Sequence, residues 1–270
     1  MPELPEVETV IQTMIPKLVG VSIVGVVHEA SHLLVYPDHY EISTSEHVLS
    51  NRVVSSIKRH GKYIILEAAD SAVFVIHLRM TGRIYFNTEP QFEKHVHLIL
   101  ELSNGLFFHY HDVRKFGRFQ FVPDPKDLHL YLPAGTDGLL ITAAYIDQLK
   151  IQYAKKTLKS LLLDQKIIAG IGNIYADEIC FKIKRHPLSV FSSIPAAQLA
   201  ESIVFILNNS IRSKGTTFRD YRDADGNSGN FQNSLYVYAQ AVCCICHSNI
   251  EKIKAAGRTS HFCPVCQSLK

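Results

Sequence analysis

Val7, Val10, Ile11, Met14, Ile15 and Leu18 recur three and four positions apart, which predicts an amphipathic helix over residues 6–18. From about residue 21 the period shortens. Apolar, β-branched and aromatic runs at 21–27, 63–66, 73–77, 97–102, 106–110 and 118–122 read as strands, and Asn104-Gly105 is a hairpin turn between two of them. Short strands separated by turns predict a β-sandwich or barrel. Pro123, Pro125, Pro133, Gly135 and Gly138 punctuate a linker. Beyond Thr142 the spacing is helical again. Leu158, Leu161 and Leu162 line one face, Ile174, Tyr175 and Ile179 start a second, and Leu199, Ile203, Ile206, Leu207 and Ser210 line a third. Residues 214–231 are polar and contain glycines without an apolar period, which predicts a mobile segment. No internal repeat is present. The fold expected is α+β, with a β-rich first half and a helical second half.

At 270 residues the chain is long enough for two domains. No apolar run could span a bilayer and no secretory leader precedes a cleavage site, so a cytoplasmic protein with no membrane partner is expected. The net charge of +3 conceals an asymmetry. Residues 1–150 carry 13 Lys+Arg against 17 Asp+Glu, a net −4, whereas residues 151–270 carry 15 against 8, a net +7. A basic second half suits a polyanion partner, although chance partition of surface charge produces the same numbers.

Five of the six cysteines lie between positions 243 and 266. Cys243-x2-Cys246 and Cys263-x2-Cys266 have the spacing of a four-thiolate zinc ribbon. Disulfides are the alternative, but they fit a cytosolic chain poorly. With all four positions filled by protein, such a metal is structural. Cys244 is a spare thiol and Cys180 a small buried hydrophobe. Lys252, Lys254 and Arg258 between the pairs form a basic hairpin suited to phosphate contact or simply to solvation.

Other candidate chemistry sits at turns. Were Met1 removed, Pro2 would present a free secondary amine. Such α-amino groups titrate near ~8, well below lysine at ~10, and amines of this kind form Schiff bases. Glu3 beside it is a candidate proton donor. In Ala169-Gly170-Ile171-Gly172-Asn173, glycines before a helix let backbone N–H groups approach an anion, and Asn173 is a candidate cap; a tight helix–helix turn uses similar residues. Met80, in His77-Leu78-Arg79-Met80-Thr81-Gly82, and Phe116, in Asp112-Val113-Arg114-Lys115-Phe116-Gly117, are bulky apolar residues beside cations. They fit either a core or wedges inserted between base steps.

Together these segments resemble the formamidopyrimidine-DNA glycosylase family, bacterial repair enzymes for oxidised purines. The likeness runs the length of the chain through PELPEVE, HGKYIIL, HLRMTGR, DVRKFGRF, LLLDQKIIAGIGNIYADEI, GTTFRDY and AGRTSHFCPVCQ. It implies a β-sandwich with flanking helices over residues 1–127, a linker over 128–141, a helix-two-turn-helix DNA-binding domain with a lesion-recognition loop over 142–230, and a zinc-ribbon β-hairpin over 231–270. It also implies a monomer acting on double-stranded damaged DNA, flipping the damaged base out of the duplex. Pro2 would attack C1′ and Glu3 would protonate the sugar; Lys62 matches the β-elimination lysine and Arg258 the δ-elimination arginine. Met80, Arg114 and Phe116 match the residues that fill the gap left by the base, with Arg114 facing the orphaned cytosine. His77, His95, Lys155, Asn173 and Tyr238 match DNA-contacting positions. His95 and His97 alternate on a strand, so one of the two faces DNA. Cys243, Cys246, Cys263 and Cys266 would hold one structural zinc ion.

The chain departs from the family pattern at Ala239-Gln240, where many relatives have glycine and a basic residue. It also departs in a shorter approach to Cys243, at Thr259-Ser260 and at Thr81. These bear on the shape of the hairpin and on lesion preference. The rival readings are an endonuclease VIII-like enzyme for oxidised pyrimidines, a non-catalytic lesion-binding zinc protein, and a general zinc-ribbon DNA-binding module. The 114–117 and GTTFRDY segments favour the purine enzyme. Pro2 and Glu3 argue against both non-catalytic readings.

Overall fold

The computed structural model describes residues 1–30, 32–36, 45–267 and 269. They divide into two compact units, 1–132 with 214–229, and 133–213 with 230–270.

The first unit opens with helix α1 (Leu4–Leu18). Glu3 is its N-cap residue, and Glu6 reaches back to accept the Glu3 N–H at 2.8 Å. Strands β1 (Ser22–Glu29) and β2 (Leu34–Val35) and the short helix α2 (Ser45–Leu49) follow. Then come β3 (Arg52–His60), β4 (Tyr63–Ala68), β5 (Val73–His77), β6 (Gly82–Asn87), β7 (Val96–Leu102), β8 (Phe107–Asp112) and β9 (Arg118–Val122). Among the described residues these strands form one continuous sheet in the order β2-β9-β5-β4-β3-β1-β7-β8-β6. The β1–β3 junction is the narrow point, paired only at Ser22↔Val53 and Ile23↔Arg52. The halves on either side of it fold face to face: Phe108 of β8 and Phe119 of β9 meet edge-on with centroids 6.5 Å apart. The sandwich is therefore a single sheet bent on itself. Val7, Val10, Ile11, Met14 and Leu18 of α1 enter its core, while Ile15, at the margin of the apolar stripe, is exposed.

The 214–229 stretch belongs to the compact unit of residues 1–132. Several of its backbone N–H groups are satisfied by α1 and by the stretch itself. Thr216 N–H donates to Glu6 Oε1 at 2.7 Å, Ala224 N–H to Thr13 Oγ1 at 3.0 Å, and the Asp223 carboxylate accepts from the N–H groups of Asp225 and Asn227. Ala224 is buried in the sandwich core. Polar composition here reflects an internally bonded loop.

After helix α3 (Leu128–Tyr131), the second unit begins with β10 (Thr136–Asp137), α4 (Ala143–Tyr153) and α5 (Leu158–Leu163). It continues with β11 (Ile168–Ala169), α6 (Asn173–Lys182), α7 (Ala196–Arg212) and the hairpin β12 (Glu251–Ala255) and β13 (Arg258–Phe262). Thr142 and Thr157 cap α4 and α5 through their hydroxyls. Leu199, Ile203, Ile206 and Leu207 of α7 are all fully buried. Among the described residues no helix is long and apolar enough to cross a membrane.

Candidate active site and metal centre

Pro2 and Glu3 are both buried at the start of α1. Arg59 ties this helix to the β3–β4 turn: its Nε donates to Glu8 Oε2 at 2.7 Å and its Nη1 to the Gly61 carbonyl at 3.2 Å. The same turn carries Lys62, which is buried. His77 lies across the ladder from Tyr63, their ring centroids 4.5 Å apart. Its Nδ1 accepts the Arg79 N–H at 2.9 Å, which puts the ring proton on Nε2. Burial, with Arg79 and Lys62 adding to it, lowers the His77 pKa to about 3. His77 is therefore a neutral imidazole at physiological pH, not a cation.

Met80, Arg114 and Phe116 come together at the surface. Arg114 Nη1 lies 2.9 Å from the Met80 sulfur, and its guanidinium sits 4.9 Å from the centre of the Phe116 ring. Met80 is 43 % and Phe116 53 % exposed, which excludes the core alternative for both. Their loops turn through Arg79 and Lys115, both at positive φ. Each loop ends on a glycine, Gly82 or Gly117, at which a Cβ would collide with the Tyr110 hydroxyl. The buried Asp112 carboxylate joins the two loops, accepting from Thr81 Oγ1, Arg114 N–H (3.1 Å) and Gly117 N–H (2.8 Å). Of the alternating histidines, His97 is buried, with Nε2 2.8 Å from the Asp112 carbonyl. His95 is the more accessible, its ring edge-on to His111. A cavity of about 350 Å³ in this unit is lined by Thr81, Arg83, His111, Arg219, Asp220 and Arg222. Sequence reasoning did not single out Arg83 or Arg222.

In the second unit the cap of α6 is Gly172, not Asn173. Asn173 is instead the first helical residue, and its Nδ2 donates to the Thr259 carbonyl of β13 at 2.9 Å. Its side chain is engaged by the hairpin, so the capping expectation is corrected. Lys155 is exposed just beyond α4. Tyr238 is half-buried, with its ring 4.8 Å from that of His261. Its N–H and those of Tyr236 and Val237 converge on Glu178 at 2.7–3.0 Å. Burial raises the Glu178 pKa to about 7, against the opposing pull of those three N–H groups. Glu178 and its neighbour Asp177, both fully buried, were missed in the sequence, where acidic residues on a helix read as solvated.

The four cysteines converge. Their sulfurs lie within 4.8 Å of one another, with Cys243–Cys266 at 3.8 Å and Cys246–Cys263 at 3.4 Å, and none is in a disulfide. Thiolates bound tetrahedrally at ~2.3 Å from an ion stand about 3.8 Å apart, so this group fits a metal. Backbone N–H groups of Ile245 and Cys266 point at the sulfurs of Cys243 and Cys263. Cys244 is exposed beside the cluster and Cys180 is fully buried, its thiol pKa pushed up by burial. Arg258 is exposed at the β12–β13 turn, opposite Ala255.

This arrangement is shared with known proteins. The family model for the formamidopyrimidine-DNA glycosylase N-terminal domain matches residues 1–119, and that for the family's H2TH domain matches residues 141–222. The formamidopyrimidine-DNA glycosylase of Desulforamulus reducens is 39 % identical over 280 residues and that of Pediococcus pentosaceus 38 % over 281, each alignment covering 100 % of both chains. A Lactococcus lactis Fpg mutant, solved with Fapy-dG-containing DNA, superposes with a TM-score of 0.87 at 32 % identity, covering 98 % of this chain and 99 % of that one. The Lactococcus lactis Fpg in complex with abasic-site DNA gives 0.84 at 33 %, with the same coverage. Full-length identity at this level, two matched domains and a shared fold lead to one assignment: the chain belongs to the formamidopyrimidine-DNA glycosylase family.

Proposed function

We propose that this protein is a base-excision repair enzyme that removes oxidised purines from double-stranded DNA and then cuts the strand at the abasic site. The observation that carries this reading is the contact of Met80, Arg114 and Phe116 at an exposed surface, in a chain that begins Pro2-Glu3 and belongs to this family. An apolar wedge beside a guanidinium suits a duplex from which one base has been withdrawn.

Pro2, with Met1 removed, attacks C1′ of the extruded nucleotide; the C1′–N bond breaks and the base leaves. Glu3 protonates the sugar-ring oxygen as the ring opens, leaving an iminium at C1′. That iminium acidifies C2′. Lys62 serves the β-elimination, in which a C2′ proton is lost and the 3′ phosphate departs. Arg258 serves the δ-elimination that expels the 5′ phosphate. Arg114 pairs with the orphaned cytosine, whose edge accepts hydrogen bonds from a guanidinium. His77, His95, Lys155, Asn173 and Tyr238 bind the DNA, with His77 as a neutral hydrogen-bonding group. The cavity beside Thr81 is the receptor for the extruded base. Zinc is the ion assigned to Cys243, Cys246, Cys263 and Cys266, because four thiolates in a closed tetrahedral set match its preference. It supplies rigidity to the hairpin carrying Arg258. The enzyme acts as a cytoplasmic monomer.

Borohydride trapping on a duplex carrying 8-oxoguanine opposite cytosine, with mass spectrometry of the adduct, tests the reading. An adduct on Pro2 supports both the nucleophile and the loss of Met1. An adduct formed only with an oxidised pyrimidine would move the chain to endonuclease VIII-like chemistry, and tight binding without any adduct would leave a recognition protein.

A further inference from the structure

The second unit contains a buried ion pair that none of the steps above uses. Lys159 of α5 and Asp177 of α6 are each at 0 % exposure and in direct contact. Both oxygens of the Asp177 carboxylate are engaged. Its Oδ1 accepts from Lys159 Nζ and from Ser260 Oγ at 2.7 Å; its Oδ2 accepts from the His261 N–H at 2.9 Å and lies 3.3 Å from His261 Nδ1. An ionised carboxylate offers about four acceptor sites, and three donors engage it here, with the His261 ring beside it. Lys159 Nζ also donates to the Asn173 carbonyl at 3.2 Å.

Desolvating two charges costs several kcal/mol, and an apolar pair of equal volume is commonly no less stable. Stability is thus a poor account of the pair. What the directional bonds from Ser260 Oγ and the His261 N–H supply, and apolar contact does not, is a fixed register between helix α6 and strand β13. Ser260 and His261 lie on that strand, and Arg258 lies two residues before Ser260, on the same face by the two-residue period. Asn173 Nδ2 grips the intervening Thr259 carbonyl.

We propose that Asp177 is a positioning residue for Arg258, holding β13 on α6 so that the guanidinium meets the DNA in the register that δ-elimination requires. The proposal rests on the role assigned to Arg258 above. Displacing a catalytic group by ~1 Å costs on the order of a hundredfold in rate, so a small slip of the strand is enough to uncouple the last cut. Schiff-base formation at Pro2 does not depend on this contact.

The test uses the full chain loaded with zinc, on a duplex with one abasic site. Two readouts are taken: the rate of borohydride trapping, and the ratio of δ- to β-elimination products. Asp177→Asn is expected to lower the ratio by about tenfold or more, with the trapping rate and the metal content unchanged. An unchanged ratio overturns the proposal, and so does an equal fall in trapping and ratio, which is general disruption. Should the unmatched Lys159 prevent folding of that variant, Ser260→Ala carries the same test, since it removes one donor and leaves the ion pair. A fall in its ratio supports the proposal, and no change overturns it. Arg258→Gln separates the two failures. If it retains the δ product, the assignment of Arg258 falls and this proposal with it. If it alone loses the δ product, Asp177 does not position it.

Discussion

The Arg114 guanidinium sits 4.9 Å from the centre of the Phe116 ring, and its Nη1 meets the Met80 sulfur at 2.9 Å. A cation in contact with two exposed apolar groups is pre-formed as a wedge, with little side-chain ordering left for binding.

Phe116→Ala should therefore act on base extrusion and spare the later steps. Unstacking one base step costs a few kcal/mol, and losing even 1.4 kcal/mol of its compensation slows excision about tenfold. Single-turnover excision of 8-oxoguanine from duplex DNA should fall by that factor or more, while strand cleavage at a pre-formed abasic site is largely kept. Equal loss on both substrates would place Phe116 in general DNA binding instead.

Glu6 bonds the Glu3 N–H with one carboxylate oxygen and the Thr216 N–H with the other. It is buried, and it thereby joins the proposed catalytic terminus to the 214–229 stretch. Glu6→Gln retains one acceptor but sets an NH₂ donor against an N–H. The expected loss is about 1–3 kcal/mol of stability, the cost of an unsatisfied buried group. Faster proteolysis or hydrogen exchange within 214–229 would accompany it; unaltered protection there would contradict this role.

The parts legible in the sequence are those set by spacing. The three-and-four periodicity of α1 names the residues that enter the core, and the paired Cys-x2-Cys motifs name the four sulfurs that converge. What spacing hides is long-range polar bonding. The 214–229 stretch reads as without tertiary partners because two of its donors find theirs on Glu6 and Thr13, some 210 residues away. Asp177 and Glu178 look solvated because their partners, on β13 and at residue 237, lie 59 to 84 residues on. Met80 and Phe116 were ambiguous between core and surface, since hydrophobicity says nothing of which side of a turn a side chain leaves by. Asn173 resembled a helix cap because its demand from Thr259 is tertiary.

Four converging thiols without a metal would repel as they ionise, so removal of the ion should loosen the hairpin. About one zinc per chain is expected from a single closed site. Cys263→Ser, at a fully buried ligand, should lose the metal and with it DNA affinity, whereas Cys244→Ser should keep both. Metal loss in Cys244→Ser would instead show that the register of the first pair is shifted by one residue.

His77 gives the chain a pH dependence whose sign follows from its burial. Its pKa is about 3 in the folded protein and near 6.5 when exposed, so below 6.5 the unfolded chain binds a proton that the folded one refuses. Folding stability from this group is therefore complete above pH 6.5 and is lost as the pH falls toward 3, at up to ~1.4 kcal/mol per unit. His77→Asn should flatten this slope, since its amide oxygen is placed to accept the Arg79 N–H in place of Nδ1. Urea unfolding at pH 7, 6 and 5, followed by circular dichroism because the chain has no tryptophan, should show the wild type losing ground to the variant at each step. Parallel curves would mean that the ring titrates alike in the folded and unfolded states, and its burial would not lower its pKa.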